Sequence, residues 1–402
     1  MTSNHSVRSV LISGASIAGP ALAYWLHQHG FKPTIVEVAP ALRPGGHAVD
    51  VRGVARDVVQ RMGIMSRVRE FCVDERGIAY VDGRDRVRSR LPAEAFGGEG
   101  IVAEIEIMRG DLSAVLYEAT HSFTEYLFGD RIVELTQGSD GVKATFASGT
   151  TRCFDLVIGA DGVHSGVRAL AFGPEEEFVR SMGGYTAYFT VPDPGDLNNW
   201  FLMYNEPGVC AGIRPERGGT AKASLSFASR EPIAYDRRDV DQQRDLLMRR
   251  FARAGWRVPG MLVAMPAAPD FYLDSVCQVH VGQWARGRIG LIGDAAYSGS
   301  PLTGMGTSTS LVGAYVLAGE LASTPDDPEG AMHRYQNEMK DYVTQCQQLP
   351  PGGFNGMVPT SRFMIHLRTL SMRMMTRWPM RGMVEKLFHR ADAITLKEYA
   401  TR

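Results

Sequence analysis

Three short apolar segments, far apart along the chain, each end on a glycine with an acidic residue close by. They cover residues 10–14, 155–162 and 288–294. Buried parallel strands have continuous apolar sequences of this kind, and a terminal glycine lets the backbone turn tightly or approach a ligand. Three such turns at one sheet edge predict that the chain surrounds one long ligand. The acids indicate that this ligand carries hydroxyl groups as well as phosphates.

The periodicity of the remaining chain predicts a fold made of interleaved pieces. A strand, a turn, a helix and a second strand are predicted over residues 7–12, 14–19, 21–29 and 34–38, and further helices over 54–69, 108–121, 240–254 and 307–322. Residues 72–100, 131–154 and most of 173–277 instead show short strand-like segments between Gly and Asp turns. We therefore predict an α/β fold: a Rossmann-type domain (residues 1–71, 101–172 and 278–345), interrupted by an antiparallel β-sheet substrate domain (72–100 and 173–277) and followed by a helical C-terminal tail (346–402).

Composition narrows the class of protein. The chain has 402 residues, 44% of them hydrophobic and 22% charged, with a formal net charge of −1. A nucleic-acid-binding protein would need a basic domain or stripe, which is missing, and no apolar run approaches the roughly 18 residues of a membrane-spanning helix. The five cysteines are scattered without C-x-x-C spacing. We expect a cytoplasmic protein with reduced thiols and neither a disulfide framework nor a metal site.

The first glycine turn has the form of a dinucleotide-binding turn, with Gly14 leaving the strand sharply and Gly19 allowing close helix–strand packing. Backbone N–H groups at the start of the helix are suited to bind pyrophosphate. Ser16 occupies the position where a third glycine is usual, and it is small enough to replace it. Glu37, at the end of the next strand, is placed to accept a ribose hydroxyl, which favours FAD or NAD over NADP. The turn consists of Gly14, Ala15, Ser16, Ile17, Ala18 and Gly19.

The second and third turns carry a family resemblance. Asp155, Gly159, Ala160, Asp161, Gly162, Ser165 and Arg168 form one motif, and Gly293-Asp294-Ala295-Ala296 with Pro301-Leu302-Thr303-Gly304-Met305-Gly306 form another. With the first turn and Arg109, these motifs resemble, in order and spacing, the class A flavoprotein monooxygenases, the group of para-hydroxybenzoate hydroxylase, the aromatic polyketide hydroxylases and the tetracycline-inactivating monooxygenases. The resemblance covers almost the whole chain.

This resemblance implies FAD as the bound cofactor and assigns parts of it to particular residues. Asp294 would accept a hydrogen bond from the ribityl chain, although capping its helix is the competing role. Asp161 would lie near FAD and the nicotinamide, or serve only to hold neighbouring backbone. The segment after Asp294 would approach the flavin ring, one arginine (Arg109) would lie near the pyrophosphate and ribityl chain, and another (Arg43) would lie near the FAD. These further residues are Gly293, Pro301, Gly304, Met305, Gly306, Thr307, Arg43 and Arg109. Thr307 and Gly313 depart from the residues that many members have there.

The implied reaction uses NADPH or NADH and O2, through a C4a-hydroperoxyflavin, to hydroxylate an aromatic or polyketide-like small molecule. His47 and Arg52 fall in a loop expected near the flavin ring, where either would bind substrate or influence flavin ionisation; capping a turn is the competing role. The β-rich domain is expected to supply the rest of the substrate pocket, with Tyr185, Tyr188, Met203, Tyr204, Arg214 and Phe227 as candidates. A non-catalytic flavin- or metabolite-binding protein is one alternative. A flavin-dependent halogenase is another, disfavoured because no two of the five tryptophans are two positions apart.

Overall fold

The structure, a computed structural model, describes residues 8–96, 105–192, 195–375 and 389–400. The strands in it are β1 (Ser9–Ser13), β2 (Lys32–Glu37), β3 (Ala48–Asp50), β4 (Gly77–Val81), β5 (Val87–Pro92), β6 (Glu106–Met108), β7 (Glu125–Phe128), β8 (Ile132–Gln137), β9 (Val142–Phe146), β10 (Thr151–Phe154), β11 (Leu156–Gly159), β12 (Val179–Val191), β13 (Trp200–Glu206), β14 (Val209–Pro215), β15 (Ala221–Ala228), β16 (Tyr272–Val279), β17 (Ala285–Arg286) and β18 (Ile289–Leu291). The helices are α1 (Ala18–Gln28), α2 (Val54–Arg61), α3 (Met65–Glu70), α4 (Arg109–Glu118), α5 (Gly166–Ala171), α6 (Val240–Phe251), α7 (Val258–Ala264), α8 (Asp294–Tyr297), α9 (Gly306–Ser323), α10 (Pro328–Cys346), α11 (Gly353–Met357) and α12 (Arg362–Met375).

The three apolar segments of the sequence lie side by side in one six-stranded sheet. Its strand order is β17-β18-β11-β1-β2-β7, and all neighbours except β17 and β18 are parallel. The middle strands are almost entirely buried in one core cluster that also contains residues of α1 and α9, which explains their unbroken apolar sequences. Strands β1, β2, β11 and β18 therefore all end at the same edge.

The predicted helices are present, but several of their boundaries differ. Helix α1 begins at Ala18, inside the predicted turn, because the tight part of the turn is only Gly14–Ile17 long. The helix predicted over residues 54–69 is two helices, α2 and α3, separated at Gly63, which has φ +72°. A left-handed glycine of this kind is a common way for a helix to end.

A seven-stranded sheet forms the β-rich part, in the order β16-β12-β15-β14-β13-β4-β5. Strands β4 and β5 come from the segment predicted over residues 72–100, and β12 to β16 come from residues 173–279. The sheet is antiparallel except for one pair, since β4 runs parallel to β13. One face packs against α6 and α7 around Phe189, Leu225 and Phe251. Because strand side chains alternate between faces, the other face holds a different set of residues.

That second face, which we call the inner face, points toward the domain that contains the six-stranded sheet. Its apolar cluster combines Met203, Val276 and Phe354 with Leu302, which belongs to the glycine-rich turn before α9. Phe354, in α11, lies against Gly184, where an added Cβ would be 2.0 Å from the Phe354 ring. Arg368 of α12 covers the ring of Tyr80 at 4.1 Å. The described part of the C-terminal tail thus covers one end of the inner face; residues 376–388 of the predicted tail lie outside the described residues.

None of the helices in the described ranges is both long enough and apolar enough to cross a membrane.

Candidate functional site

The three glycine turns meet at the common edge of the six-stranded sheet. Gly14 has φ +109°, and a Cβ on it would lie 2.5 Å from the carbonyl oxygen of Ala160, in the second turn. Gly293 has φ +62°, and a Cβ on it would lie 3.1 Å from Cβ of Ala18 and 2.9 Å from Oγ of Ser310. The turns therefore contact each other through glycines that have no room for a side chain. They form one continuous backbone surface at the carboxyl edge, where α/β folds bind ligands.

Glu37 and Arg109 lie on two sides of the first turn. One Glu37 oxygen accepts a hydrogen bond from the Ala15 N–H at 2.9 Å, and the other accepts from the Ala39 N–H at 2.9 Å. A carboxylate has about four acceptor positions, so these bonds leave capacity for a ribose hydroxyl. Arg109 Nε donates to Ser16 Oγ at 3.1 Å, which puts a guanidinium beside the start of α1. An acid and an arginine in these places suit the ribose and the pyrophosphate of a dinucleotide.

Arg43 is in a less definite position. It lies 3.9 Å from Glu37, and 69% of its side chain is exposed. A mostly exposed arginine can reach a phosphate group, and its ion pair with Glu37 lies beside the turn. Its contact with the cofactor stays a prediction.

Asp294 begins the short helix α8 directly after Gly293, and its carboxylate faces the start of α9. A Cβ on Gly306 would lie 3.6 Å from Asp294 Oδ1. Burial raises the pKa of Asp294, while the hydroxyl of Ser298 and the charge of Arg109 act in the opposite direction. A half-buried carboxylate between two glycine turns suits hydrogen bonding to hydroxyl groups.

The turn before α9 contacts the loop that contains Asp50 and Arg52. Gly304 has φ +64°, and a Cβ on it would lie 3.1 Å from Asp50 Oδ2. Arg52 is buried and donates to Asp50 Oδ2 from Nε at 3.0 Å and from Nη2 at 2.8 Å. The Arg52 N–H donates to Ser308 Oγ at 3.0 Å, so this loop is fixed to the first turn of α9. The Arg52 guanidinium therefore holds Asp50, and a contact between Arg52 and a substrate stays a prediction. Pro301, Met305 and Thr307 lie in the same segment, with Met305 and Thr307 buried.

Asp161 is held by the protein itself. It accepts hydrogen bonds from the hydroxyl groups of Ser165 and Ser13 and, at 3.1 Å, from the Val167 N–H. Arg168, from the same motif, is buried and donates to the carbonyl of Ala295 at 2.9 Å and to that of Val163. The motif thus joins β1, the second turn and α8. These contacts favour the scaffold role for Asp161 over direct contact with the cofactor.

His164, inside this motif, forms a charged bridge that the sequence did not reveal. One ring nitrogen lies 2.9 Å from Glu175 and the other 2.9 Å from Asp274, which lies on β16 of the other sheet. Burial alone would lower the pKa of His164, but the two carboxylates outweigh it and raise the pKa to about 9. The imidazole is therefore a cation at neutral pH, and it connects the second turn to the seven-stranded sheet.

We expect His164→Gln to lower the free energy of unfolding by about 1–2 kcal/mol at neutral pH. Because the pKa of His164 is higher in the folded state than its ordinary value near 6.5, the charged bridge contributes fully below about pH 6.5 and is lost as the pH rises through about 9. Unfolding of both proteins between pH 6 and pH 10 should show a difference that shrinks with rising pH. His121→Gln, at an exposed position, is the matched control. A difference that does not vary with pH would contradict the charged bridge.

The inner face of the seven-stranded sheet carries the candidate substrate residues. The His47 ring stacks on the Tyr188 ring at 5.0 Å. Burial, together with the charges of Arg109, Arg214 and Lys222, lowers the pKa of His47 to about 3, so its imidazole is neutral at pH 7. Arg214 is on the same side, with its guanidinium 4.6 Å from the centre of the Phe201 ring. Met203 belongs to the apolar cluster of this face.

Tyr185, Tyr204 and Phe227, which were expected in the pocket, lie on the opposite face. Tyr185 stacks on Phe227 at 5.3 Å and accepts a hydrogen bond from the Ile233 N–H, and Tyr204 donates to Glu206. All three belong to the core that packs against α6 and α7. The correction follows from strand parity, because Tyr188 is an odd number of residues from Tyr185 and so points the other way. Tyr185 and Tyr204 thus belong to the core on the side of α6 and α7, not to the inner face.

Three acids near Arg214 are a further group that the sequence did not reveal. Glu75 and Glu106 both bind Arg214, and Asp50 pairs with Glu106 across β3 and β6. Burial raises the pKa of Glu106 to about 8; Arg214 lowers it, but Glu75 and Asp50 add to the increase. Within the described ranges, no group of three or more His, Cys, Asp or Glu residues is arranged to hold a metal ion.

Taken together, the residues at the sheet edge fit FAD. The first turn, Glu37 and Arg109 would hold the adenosine and pyrophosphate, Asp294 the ribityl chain, and the segment from Pro301 to Gly306 the flavin ring. The supporting observation is that Gly14, Gly19 and Gly293 leave no space for a Cβ, while acids and an arginine lie beside these turns.

Comparison with known proteins also indicates an FAD-binding protein. The model of a family described as "FAD binding domain" matches residues 8–349. An uncharacterized protein of Mycobacterium tuberculosis is 44% identical over 88% of this chain and 95% of its own length. A flavin-dependent monooxygenase of Legionella longbeachae is 36% identical over 84% of this chain and 87% of its own. The crystal structure of the tetracycline destructase Tet(51) superposes with a TM-score of 0.84 at 30% identity, covering 98% of this chain and all of that one.

Proposed function

The chain belongs to the FAD-binding class A flavin monooxygenases, and from that premise we propose that it hydroxylates an aromatic or polyketide-like small molecule at the expense of NAD(P)H and O2. In the overall reaction a C–H bond of the substrate becomes C–OH. The second oxygen atom leaves as water, and NAD(P)H with one proton supplies the two electrons and the hydrogen atoms. When bound, FAD supplies this redox chemistry, and the protein supplies binding, orientation and exclusion of water.

The observation that carries the proposal is that the turn at residues 301–306, which would hold the flavin ring, packs against the inner face of the seven-stranded sheet. Leu302 of that turn belongs to the same cluster as Met203, Val276 and Phe354. A ring-shaped substrate between the turn and the sheet would meet both the apolar residues of the inner face and its polar side chains Tyr188, His47 and Arg214. Apolar surroundings that exclude water protect a reactive oxygen species from unproductive decay.

The polar side chains between the turn and the sheet add no net charge at pH 7. Tyr188 and His47 are uncharged, and acids compensate the charge of Arg214. Burial raises the pKa of Tyr188 to about 12, so its phenol keeps its proton, and His47 is neutral as described above. These side chains can orient an oxygen-bearing substrate through hydrogen bonds without themselves adding charge. Tet(51) is named for tetracycline, an oxygen-rich polycyclic compound, and a substrate of that general type is part of this proposal.

Product analysis tests the function. The purified protein is expected to be yellow from FAD, and a panel of phenols, naphthols and polycyclic aromatic ketones should contain compounds that raise O2-dependent NAD(P)H oxidation at least about 10-fold. Mass spectrometry with ¹⁸O2 should then show one labelled oxygen in the product. A protein that binds FAD and ring compounds but never accelerates NAD(P)H oxidation would instead be a flavin- or metabolite-binding protein. NAD(P)H oxidation that yields only hydrogen peroxide would contradict the hydroxylase.

A further inference from the structure

The guanidinium of Arg214 is already bound on two sides by carboxylates. Its Nε donates to Glu75 Oε2 at 3.0 Å, and its Nη2 lies 2.7 Å from Glu106 Oε1 and 2.9 Å from Glu75 Oε2. The side chains of Glu75 and Glu106 are 1% and 7% exposed, and that of Arg214 is 12% exposed. Nη1 makes no hydrogen bond to any described residue, so it is the nitrogen left for a ligand. Arg214 therefore offers a donor in a fixed direction, while its positive charge is neutralised within the protein.

The surroundings of Arg214 contain more acids than bases. Asp50 contributes to the electrostatic environment of both Glu75 and Glu106, and Arg52 is its ion-pair partner at 2.8 Å. Three buried carboxyl groups thus face two guanidinium groups. Asp50 Oδ1, Glu75 Oε1 and Glu106 Oε2 are buried without a hydrogen-bond partner, which is the opposite of what an anion-binding wall requires.

We propose that this arrangement, the compensated Arg214, makes the enzyme selective for substrates that present a neutral oxygen, such as a ketone, an enol or a phenol, and against substrates that present a carboxylate. The inference rests on the proposed function and names the substrate class of that site. An arginine without acid partners attracts a carboxylate by its full charge. Arg214 instead donates a directed hydrogen bond, and a carboxylate placed at Nη1 gains little from a guanidinium whose charge Glu75 and Glu106 already compensate.

The wild-type protein allows a direct test with a matched pair of ligands, a hydroxynaphthoate and its neutral methyl ester. Binding is followed by the change in the flavin absorption spectrum of the FAD-loaded protein at pH 8. We expect the dissociation constant of the carboxylate to exceed that of the ester by at least about 10-fold, the effect of one uncompensated charge at short range. Equal binding, or tighter binding of the carboxylate, would overturn the selectivity without any variant being made.

The double variant E75Q/E106Q tests whether Glu75 and Glu106 cause this selectivity. Glutamine keeps the shape and one acceptor oxygen but removes the negative charge, so Arg214 becomes an uncompensated cation. The carboxylate-to-ester ratio of dissociation constants should fall at least about 10-fold, with ester binding changed less than about 3-fold. Glu134→Gln, on the exposed side of β8, is the matched control and should keep the wild-type ratio. An unchanged ratio in a double variant that still holds FAD would overturn the assignment.

The proposed function can fail separately. If the FAD-loaded protein shows neither a spectral change nor faster NAD(P)H oxidation with any ring compound, the hydroxylase proposal is wrong and the selectivity falls with it. If ring compounds do accelerate NAD(P)H oxidation but the ester and the carboxylate behave alike, only the role of the compensated Arg214 is wrong.

Discussion

Asp294→Ala is expected to fold normally but to be purified with little FAD, with the FAD dissociation constant raised about 10- to 100-fold. The carboxylate lies between the third turn and the start of α9, with Oδ1 3.6 Å from the Cβ position of Gly306. A hydrogen bond between a charged group and a buried partner contributes about 1.5–3 kcal/mol, which corresponds to this loss. Fluorescence titration of the apoprotein with FAD would measure the change.

Two variants make the Asp294 result specific. Asp294→Asn keeps an acceptor oxygen and should retain more FAD than the alanine variant, while Asp326→Ala, at an exposed position, should bind like the wild type. If Asp294→Ala keeps a wild-type affinity for FAD, Asp294 does not contact the ribityl chain. Its role would then be confined to the start of α8.

Gly19→Ala is expected to destabilise the protein by about 2–3 kcal/mol and to abolish FAD binding at micromolar concentrations. A Cβ on Gly19 would lie 2.0 Å from the Gly14 carbonyl oxygen and 3.3 Å from Cγ2 of Ile12. The first of these contacts is with backbone, so no side-chain rotation relieves it. The start of α1 would have to move away from β1, and the N–H groups that receive the pyrophosphate would move with it.

The same substitution elsewhere gives the control. Gly260, in α7, is exposed, and a Cβ on it would meet no atom within 4 Å. Gly260→Ala should leave FAD binding unchanged and be neutral or stabilising by up to about 1 kcal/mol, because alanine is the better helix former. Thermal unfolding and FAD titration of both variants would decide the matter. A Gly19→Ala protein with wild-type melting temperature and affinity would show that the turn tolerates a side chain.

The cofactor side of the molecule could be predicted from sequence because its signals are local. Gly14, Glu37 and Asp294 each stand at the end of an apolar strand, and parallel strands bring their carboxyl ends to one edge. The family resemblance added FAD and the order of the contacts. The comparisons confirm the family and the α/β fold. The roles of the individual residues stay predictions that the variants above test.

The residues of the substrate pocket were harder to predict from the sequence, because the residues that meet there are far apart along the chain. Both faces of the seven-stranded sheet are covered by other elements, so an aromatic residue on either face is expected to be buried. Sequence alone therefore did not distinguish the position of Tyr185 from that of Tyr188. The acids around Arg214 are isolated in the sequence: Asp50 and Glu106 meet through the pairing of β3 with β6, and the Val73 N–H, which donates to the Glu106 carbonyl, brings Glu75 close. His164 likewise finds Asp274, 110 positions away, only in the folded chain.

The strand order of the six-stranded sheet has a consequence for biosynthesis. Strand β1 has β2 and β11 as neighbours, and β11 is completed only by β18, which ends at Leu291. At about 5–20 residues per second, the ribosome adds β18 roughly 15 to 55 s after β1. During that time the most apolar strands of the nascent chain have no complete sheet to join. We therefore expect FAD to bind only after most of the chain has been made, which makes loading of the cofactor a late step of biosynthesis.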